Sequence, residues 1–177
     1  MANHGYINTT SCACWDVDSY NRCAVYTADV DNGVFVELGA PNVDSSKNIN
    51  GYEFPVSKLA DDASEHVWVV ATPEVGQTYE MQLLSDPRAF YNVANKPMSV
   101  KYLVPKADCI EVNAEAFASK ALPTSSQTVV TIGANGKLVA GTSAPDDGAF
   151  YCSVLGFKKV AVGAELMPVV VLQVEAN

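Results

Sequence analysis

The stretch Tyr26–Gly39 reads YTADVDNGVFVELG and decides the fold. Asp31-Asn32-Gly33 stands between two β-rich runs, Cys23–Val30 and Val34–Leu38. Asn-Gly supplies the positive φ angles of a tight hairpin, so the stretch predicts two antiparallel strands. The pattern recurs at Thr128–Ala140 (TVVTIGANGKLVA), where Asn135-Gly136 separates Thr128–Ile132 from Lys137–Ala140. In Val34–Leu38 one face (Val34, Val36, Leu38) is apolar and the other (Phe35, Glu37) is mixed, which predicts a half-buried strand.

Outward from these turns the chain stays β-rich. His66–Ala71 is apolar on both faces and predicts a central strand ended by Pro73. Val100–Val104, Cys109–Val112, Ala149–Leu155 and Val169–Val174 read as further strands. Polar turns are expected at Pro41–Asn50, Asn50-Gly51 and Pro145–Gly148. Ser57–Glu65 predicts one or two helical turns with Ser57 as N-cap, and Asn113 caps another through Phe117, with Glu115 in its first turn. Tyr79–Ala94 stays ambiguous, because Pro87 forbids a continuous helix. The expected class is mainly β: an antiparallel β-barrel or sandwich with a few short helical turns.

Residues 1–22 are polar and aperiodic and predict an extended N-terminal arm, ordered by a partner. Residues 23–177 form a single β-rich domain, with a possible subdivision at the 119–127 linker. The 177 residues suffice for one sizeable core. Only 18% are charged, below the roughly 25% of soluble domains, which leaves surface for a partner or an oligomer to cover. The net charge of −9 argues against a nucleic-acid partner. Leu166–Leu172 is the longest apolar run, far short of a membrane span. The first ten residues lack the features of a secretory signal, so the chain is read as made in the cytosol. Its five cysteines are then free thiols.

The chemistry-bearing candidates are sparse. Cys12-x-Cys14 with Cys23 and His4 offers four zinc-type ligands, but the spacing fits no common zinc pattern, and no metal or cofactor is assigned. Asp16-x-Asp18 and Asp29-x-Asp31 lack the calcium-loop pattern and read as turn carboxylates. Gly133–Lys137 lacks the phosphate-loop pattern and reads as a hairpin turn. His4 and His66 are the only histidines, and neither accompanies a nucleophile motif, so no enzyme is expected. Trp68 reads as core packing. Trp15 is a large apolar side chain in a polar arm, and with Tyr6 and Ile7 it is the candidate partner-binding set.

The string Asp29–Gly39 (DVDNGVFVELG) resembles the opening strand-turn of small bacteriophage virion proteins encoded beside the major capsid protein. Val67–Val75, Phe90-Tyr91-Asn92, Lys96-Pro97, Lys101-Tyr102, Asp108–Phe117 and a closing VVLQVE ending at Glu175 follow in similar order. Residues 1–25 lie outside the resemblance. It implies a head-associated structural protein, first a capsid decoration (cement) protein on the virion surface. Its partners would be the major capsid protein and copies of itself in a homo-oligomer, a trimer being one form. The alternatives are a tail tube, tail terminator or head-completion protein, and a glycan- or receptor-binding module.

Overall fold

The computed structural model describes residues 3–39, 42–43, 52–53, 57–62, 64–75, 78–79, 86–145, 148–162 and 164–177. The turns expected around Asn50-Gly51 and Asp146-Asp147, and most of Pro41–Asn50, lie outside these residues.

The chain is mainly β, in two antiparallel sheets joined by single 3₁₀ turns. The larger sheet holds β1 (Ile7–Ser11), β9 (Cys109–Val112), β10 (Val129–Ile132), β11 (Leu138–Gly141), β12 (Tyr151–Val162) and β13 (Glu165–Ala176). Its order is β1-β9-β13-β12-β10-β11. The smaller sheet contains β2 (Asn21–Ala24), β3 (Phe35–Leu38), β6 (Ser57–Leu59), β7 (Trp68–Val70) and β8 (Met98–Tyr102), in the order β2-β8-β7-β3-β6. A separate two-residue ladder pairs β4 (Asn42–Val43) with β5 (Tyr52–Glu53).

The sheets face each other across one apolar cluster. Phe35, Val67 and Val69 of the smaller sheet side meet Ile110, Val130, Leu172 and Phe150. The Phe35 and Phe150 rings lie 4.6 Å apart. This cluster includes residues from both sides of 119–127, so that segment does not divide the core. Burying such side chains contributes about 1.5–3 kcal/mol each, and the sheet faces have no other route to it.

β3 is more enclosed than its pattern suggests. Phe35 enters the main cluster, while Val34 and Val36 join a second cluster with Ala24, Val70, Met98 and Val100 on the outer side. Both faces of this strand are therefore covered at its start. β7 is central, as its apolar faces predict, between β3 and β8.

Local turn chemistry behaves as expected, but strand partnership does not always follow it. β10 and β11 form the predicted hairpin, Ile132 opposite Leu138, closed by Gly133 N–H donating to the Lys137 carbonyl at 2.8 Å. Asn135 and Gly136 both have φ of 67°. Gly33 also has positive φ, 82°. Yet the expected hairpin around it does not form: β2 pairs with β8, and β3 with β6 and β7. The turn is instead held sideways. Asn32 is buried, its Nδ2 donates to the Thr72 carbonyl (2.9 Å), and its Oδ1 accepts from Thr72 N–H (3.1 Å). One side chain thus imitates a ladder pair.

Ser57–Leu59 is a strand rather than a helical turn. Ser57, Lys58 and Leu59 pair in that order with Leu38, Glu37 and Val36, and buried Ser57 donates its hydroxyl to the Val25 carbonyl at 3.0 Å. The Asn113 turn exists over Ala114–Ala116, but the Asn113 side chain does not cap it. Its Oδ1 accepts from Tyr6 N–H at 3.0 Å, and its Nδ2 donates to the His4 carbonyl at 3.1 Å.

Those bonds correct the reading of residues 1–22 as an arm outside the β body. β1 is an edge strand of the larger sheet, with Ile7 opposite Val112. Ile7, Thr9, Cys12 and Cys14 are buried. The segment looked aperiodic because Thr and Cys occupy inward positions that a hydrophobic pattern would give to Val or Leu.

Candidate interaction surface

Two features of this scaffold offer surface chemistry: a cleft beside β1, and the far half of the β12–β13 hairpin.

The cleft is built from the N-terminal segment. After β1 the chain turns through Ala13–Trp15, pinned where the Asp108 carboxylate accepts Ala13 N–H at 2.8 Å. Cys14 points inward and Trp15 outward, 61% exposed. Trp15, Tyr6 and Ile7, the three residues singled out from sequence, line one cleft with Thr9, Thr72, Glu74 and Lys101. Its volume is about 200 Å³. The structure therefore brings the set together with unequal roles. Trp15 is the exposed wall and Tyr6 a half-buried one. Ile7 is spent on the main core and contributes only an edge.

Sequence reasoning passed over Lys101. Its ammonium sits 4.0 Å from the Trp15 ring centre, a cation–π contact, and donates to Thr9 Oγ1 at 3.2 Å. Only 8% of the residue is exposed. The available signal was a lysine between Val100 and Leu103, inside an apolar strand. Glu74 lines the same cleft, where desolvation pushes its carboxyl above the usual range. Burial first, then the nearby carboxylates of Glu74 and Glu111, push the Tyr6 phenol up.

Beneath the cleft lie two thiols. The Cys12 Sγ sits 3.2 Å from the Cys109 carbonyl and also against Cys14, and its single proton serves one or the other. Hydrogen bonding from Cys12, helped by the charge of Lys101, holds the Cys14 thiol down at about 7 against desolvation, while Cys12 is pushed up. Cys23 is exposed on β2. His4 is bonded elsewhere, Nδ1 to Asp31 at 2.7 Å with its ring stacked on Tyr91. The four residues weighed as zinc ligands are thus divided. Among the described residues no three His, Cys, Asp or Glu side chains converge as a metal site.

The Asp29 carboxylate accepts a backbone amide, that of Ala94 at 2.9 Å, so it ties two loops rather than its own turn. His66 approaches Tyr102 Oη at 3.5 Å. No recorded hydrogen bond joins either histidine to a serine, threonine or cysteine side chain among the described residues.

The second feature is the hairpin. β12 and β13 each run twelve residues, but β10 pairs with β12 only at Tyr151–Ser153, and β9 with β13 only at Val170–Gln173. Beyond those points, among the described residues, the two strands pair only with each other. Residues directly opposite share a face. Phe157 faces Val170, Lys159 faces Pro168, and Ala161 faces Leu166. Val170 belongs to the main core, so this is the core face of the sheet, continued past the sandwich. There Phe157 (48%) and Leu166 (62%) are exposed, with Ala161 and Pro168. Leu155, in the irregularity at Val154/Gly156, is exposed too. The opposite face is covered: Val162, Met167 and Val169 pack with Tyr6 and Val160. Arg88 braces it through ion pairs to Asp86 (2.8 Å) and Glu165.

Set against protein-family models, curated proteins and solved structures, the chain matches none of them.

Proposed function

We propose that this chain is a structural protein of a bacteriophage virion, a capsid decoration protein that binds the assembled head and stabilises it. The observation that carries the reading is the overhanging hairpin, an uncovered continuation of a core face ending in a free strand edge. Isolated exposed apolar residues are ordinary, but Phe157, Ala161, Leu166 and Pro168 gathered around Lys159 on one face of a paired ribbon have the form of a docking site. A lattice multiplies such modest contacts into a stable shell. The resemblance carried by Asp29–Gly39 and Asp108–Phe117 supports the same reading. The partners are then the major capsid protein and further copies of this chain.

A free edge beside an apolar face also suits ring formation by strand addition, which favours a tail tube or terminator as the second reading. A sugar-binding platform draws less support. The rings recorded in contact around Tyr102 are tilted, at 38° to Tyr20 and 60° to Trp68, rather than coplanar.

Binding of the purified protein to capsids of its own virus tests the proposal. The wild-type chain is expected to bind and to raise the temperature at which capsids burst, because a ligand specific for the intact shell stabilises it. The double variant Phe157→Glu/Leu166→Glu is expected to stay folded and lose binding. Location in tails alone, or absence from virions, would refute decoration.

A further inference from the structure

Lys101 is a cation more than nine-tenths enclosed by protein, and no ion pair to a carboxylate is recorded for it among the described residues. The salt bridges among the described residues involve other lysines, Arg88 and His4. Among the described residues one of its three donors is used, on Thr9 Oγ1 at 3.2 Å. The rest of the ammonium is turned to the cleft, with the Trp15 ring on one side. A buried charge is costly unless it is paired, and among the described residues the only recorded anionic offset to Lys101 is the Cys14 thiol, which is only partly ionised near neutral pH. The groups around it are few. The Cys14 thiol feels its charge, and Asp108 lies near Cys14. Both Asp108 oxygens are already bonded, to Ala13 N–H (2.8 Å) and Val104 N–H (2.7 Å). Glu74 and Tyr6 line the cleft further out.

We propose that the cleft between Trp15 and Lys101 accepts a carboxylate, presented by an acidic side chain of a protein partner. The ammonium supplies two free donors and the Thr9 hydroxyl one more, a set that matches a carboxylate. A doubly charged phosphate fits less well, because Glu74 stands in the same cleft and the chain carries a net charge of −9. At about 200 Å³ the space falls below the roughly 300–1,000 Å³ of small-molecule pockets, so it suits one side chain rather than a whole metabolite. Trp15, exposed beside it, is the kind of aromatic anchor that protein interfaces use. The inference concerns the ligand chemistry of the cleft and does not depend on the partner being a capsid.

Titration with N-acetyl-glutamate α-amide and N-acetyl-glutamine α-amide, read from the Trp15 indole and Lys101 amide signals by NMR, isolates the carboxylate. Saturable shifts are expected with the glutamate compound, at least about tenfold tighter than with the glutamine compound. Lys101→Gln is expected to abolish the difference, while Lys101→Arg and Cys14→Ser keep it. Should Lys101→Gln fail to fold, the comparison of the two compounds on the wild-type chain still decides. Equal binding of both, binding of neither, an unchanged preference in a folded Lys101→Gln, or tighter saturation by inorganic phosphate would each overturn the assignment. None of these outcomes bears on whether the hairpin binds a capsid, which the Phe157→Glu/Leu166→Glu variant reads separately.

Discussion

Gly136 and Gly148 share a backbone conformation but not a neighbourhood, and replacing each with alanine separates two costs. Their φ angles are +67° and +74°. An L-residue in this left-handed region costs about 1–2 kcal/mol, and Gly148→Ala is expected to lose only that, since a Cβ there meets nothing within 4 Å. At Gly136 the added Cβ would lie 2.2 Å from the Phe35 carbonyl oxygen and 3.0 Å from Val34 Cγ1. Reaching ordinary contact, 3.4 Å or more, moves the β10–β11 turn by about 1 Å away from β3. That shift breaks the bond from Gly136 N–H to the Ala60 carbonyl (2.8 Å) and loads the one from Ala60 N–H to Phe35 (3.0 Å). With about 1 kcal/mol for each bond weakened, Gly136→Ala is expected to lose roughly 3–4 kcal/mol. In a chain of this size that lowers Tm by about 10 °C, against about 2–8 °C for Gly148→Ala. Thermal unfolding by circular dichroism on the two variants checks this. Equal losses would show that the packing of the turn on β3 carries no weight, and would refute the steric argument.

Asn32→Ala removes the paired bonds to Thr72 and strands its amide and carbonyl. It is expected to cost about 2–4 kcal/mol, measured as a fall in the urea midpoint at unchanged m-value. Cys14→Ser tests the thiol pair through pH. The Cys14 thiol titrates at about 7 in the fold, below its ordinary 9, so its ionised form is the stabilised one. That stabilisation is full above pH 9 and is lost as pH falls through about 7, while raised Cys12 opposes it only above 9. The wild-type advantage over Cys14→Ser should therefore grow from pH 7 to 9 in chemical denaturation; parallel profiles would contradict it.

What the sequence disclosed divides along a physical line. The β10–β11 hairpin was legible because its strands are neighbours in the chain and Asn135-Gly136 dictates the reversal. Asn32-Gly33 has the same chemistry, yet its flanking strands choose distant partners, β8 on one side and β7 on the other, and no local signal encodes that choice. Ser57–Leu59 became a strand because β3 offered it an edge, overriding its helical cap. The site was half legible. Trp15 stood out against its polar surroundings, whereas Lys101 acquired its meaning only when β8 carried it beneath Trp15. The apolar residues of 155–168 read as core in any one-dimensional pattern, since only the sandwich's finite width leaves them uncovered.

The place of β1 has a consequence for synthesis. Among the described residues its ladder partner is β9, about a hundred residues downstream, and β9 in turn finds its other neighbour only when β13 is complete. Of the strands of the larger sheet, β1 is made before the others and must wait for β9 before it can pair, and such distant pairings fold slowly. A segment that waits that long with an unpaired edge is exposed to wrong partners throughout translation. Asn8, Thr9, Thr10, Ser11 and Cys12 bear the wait better than valines and leucines would. The polarity that made this strand invisible as part of the core is what keeps it soluble until its partner arrives.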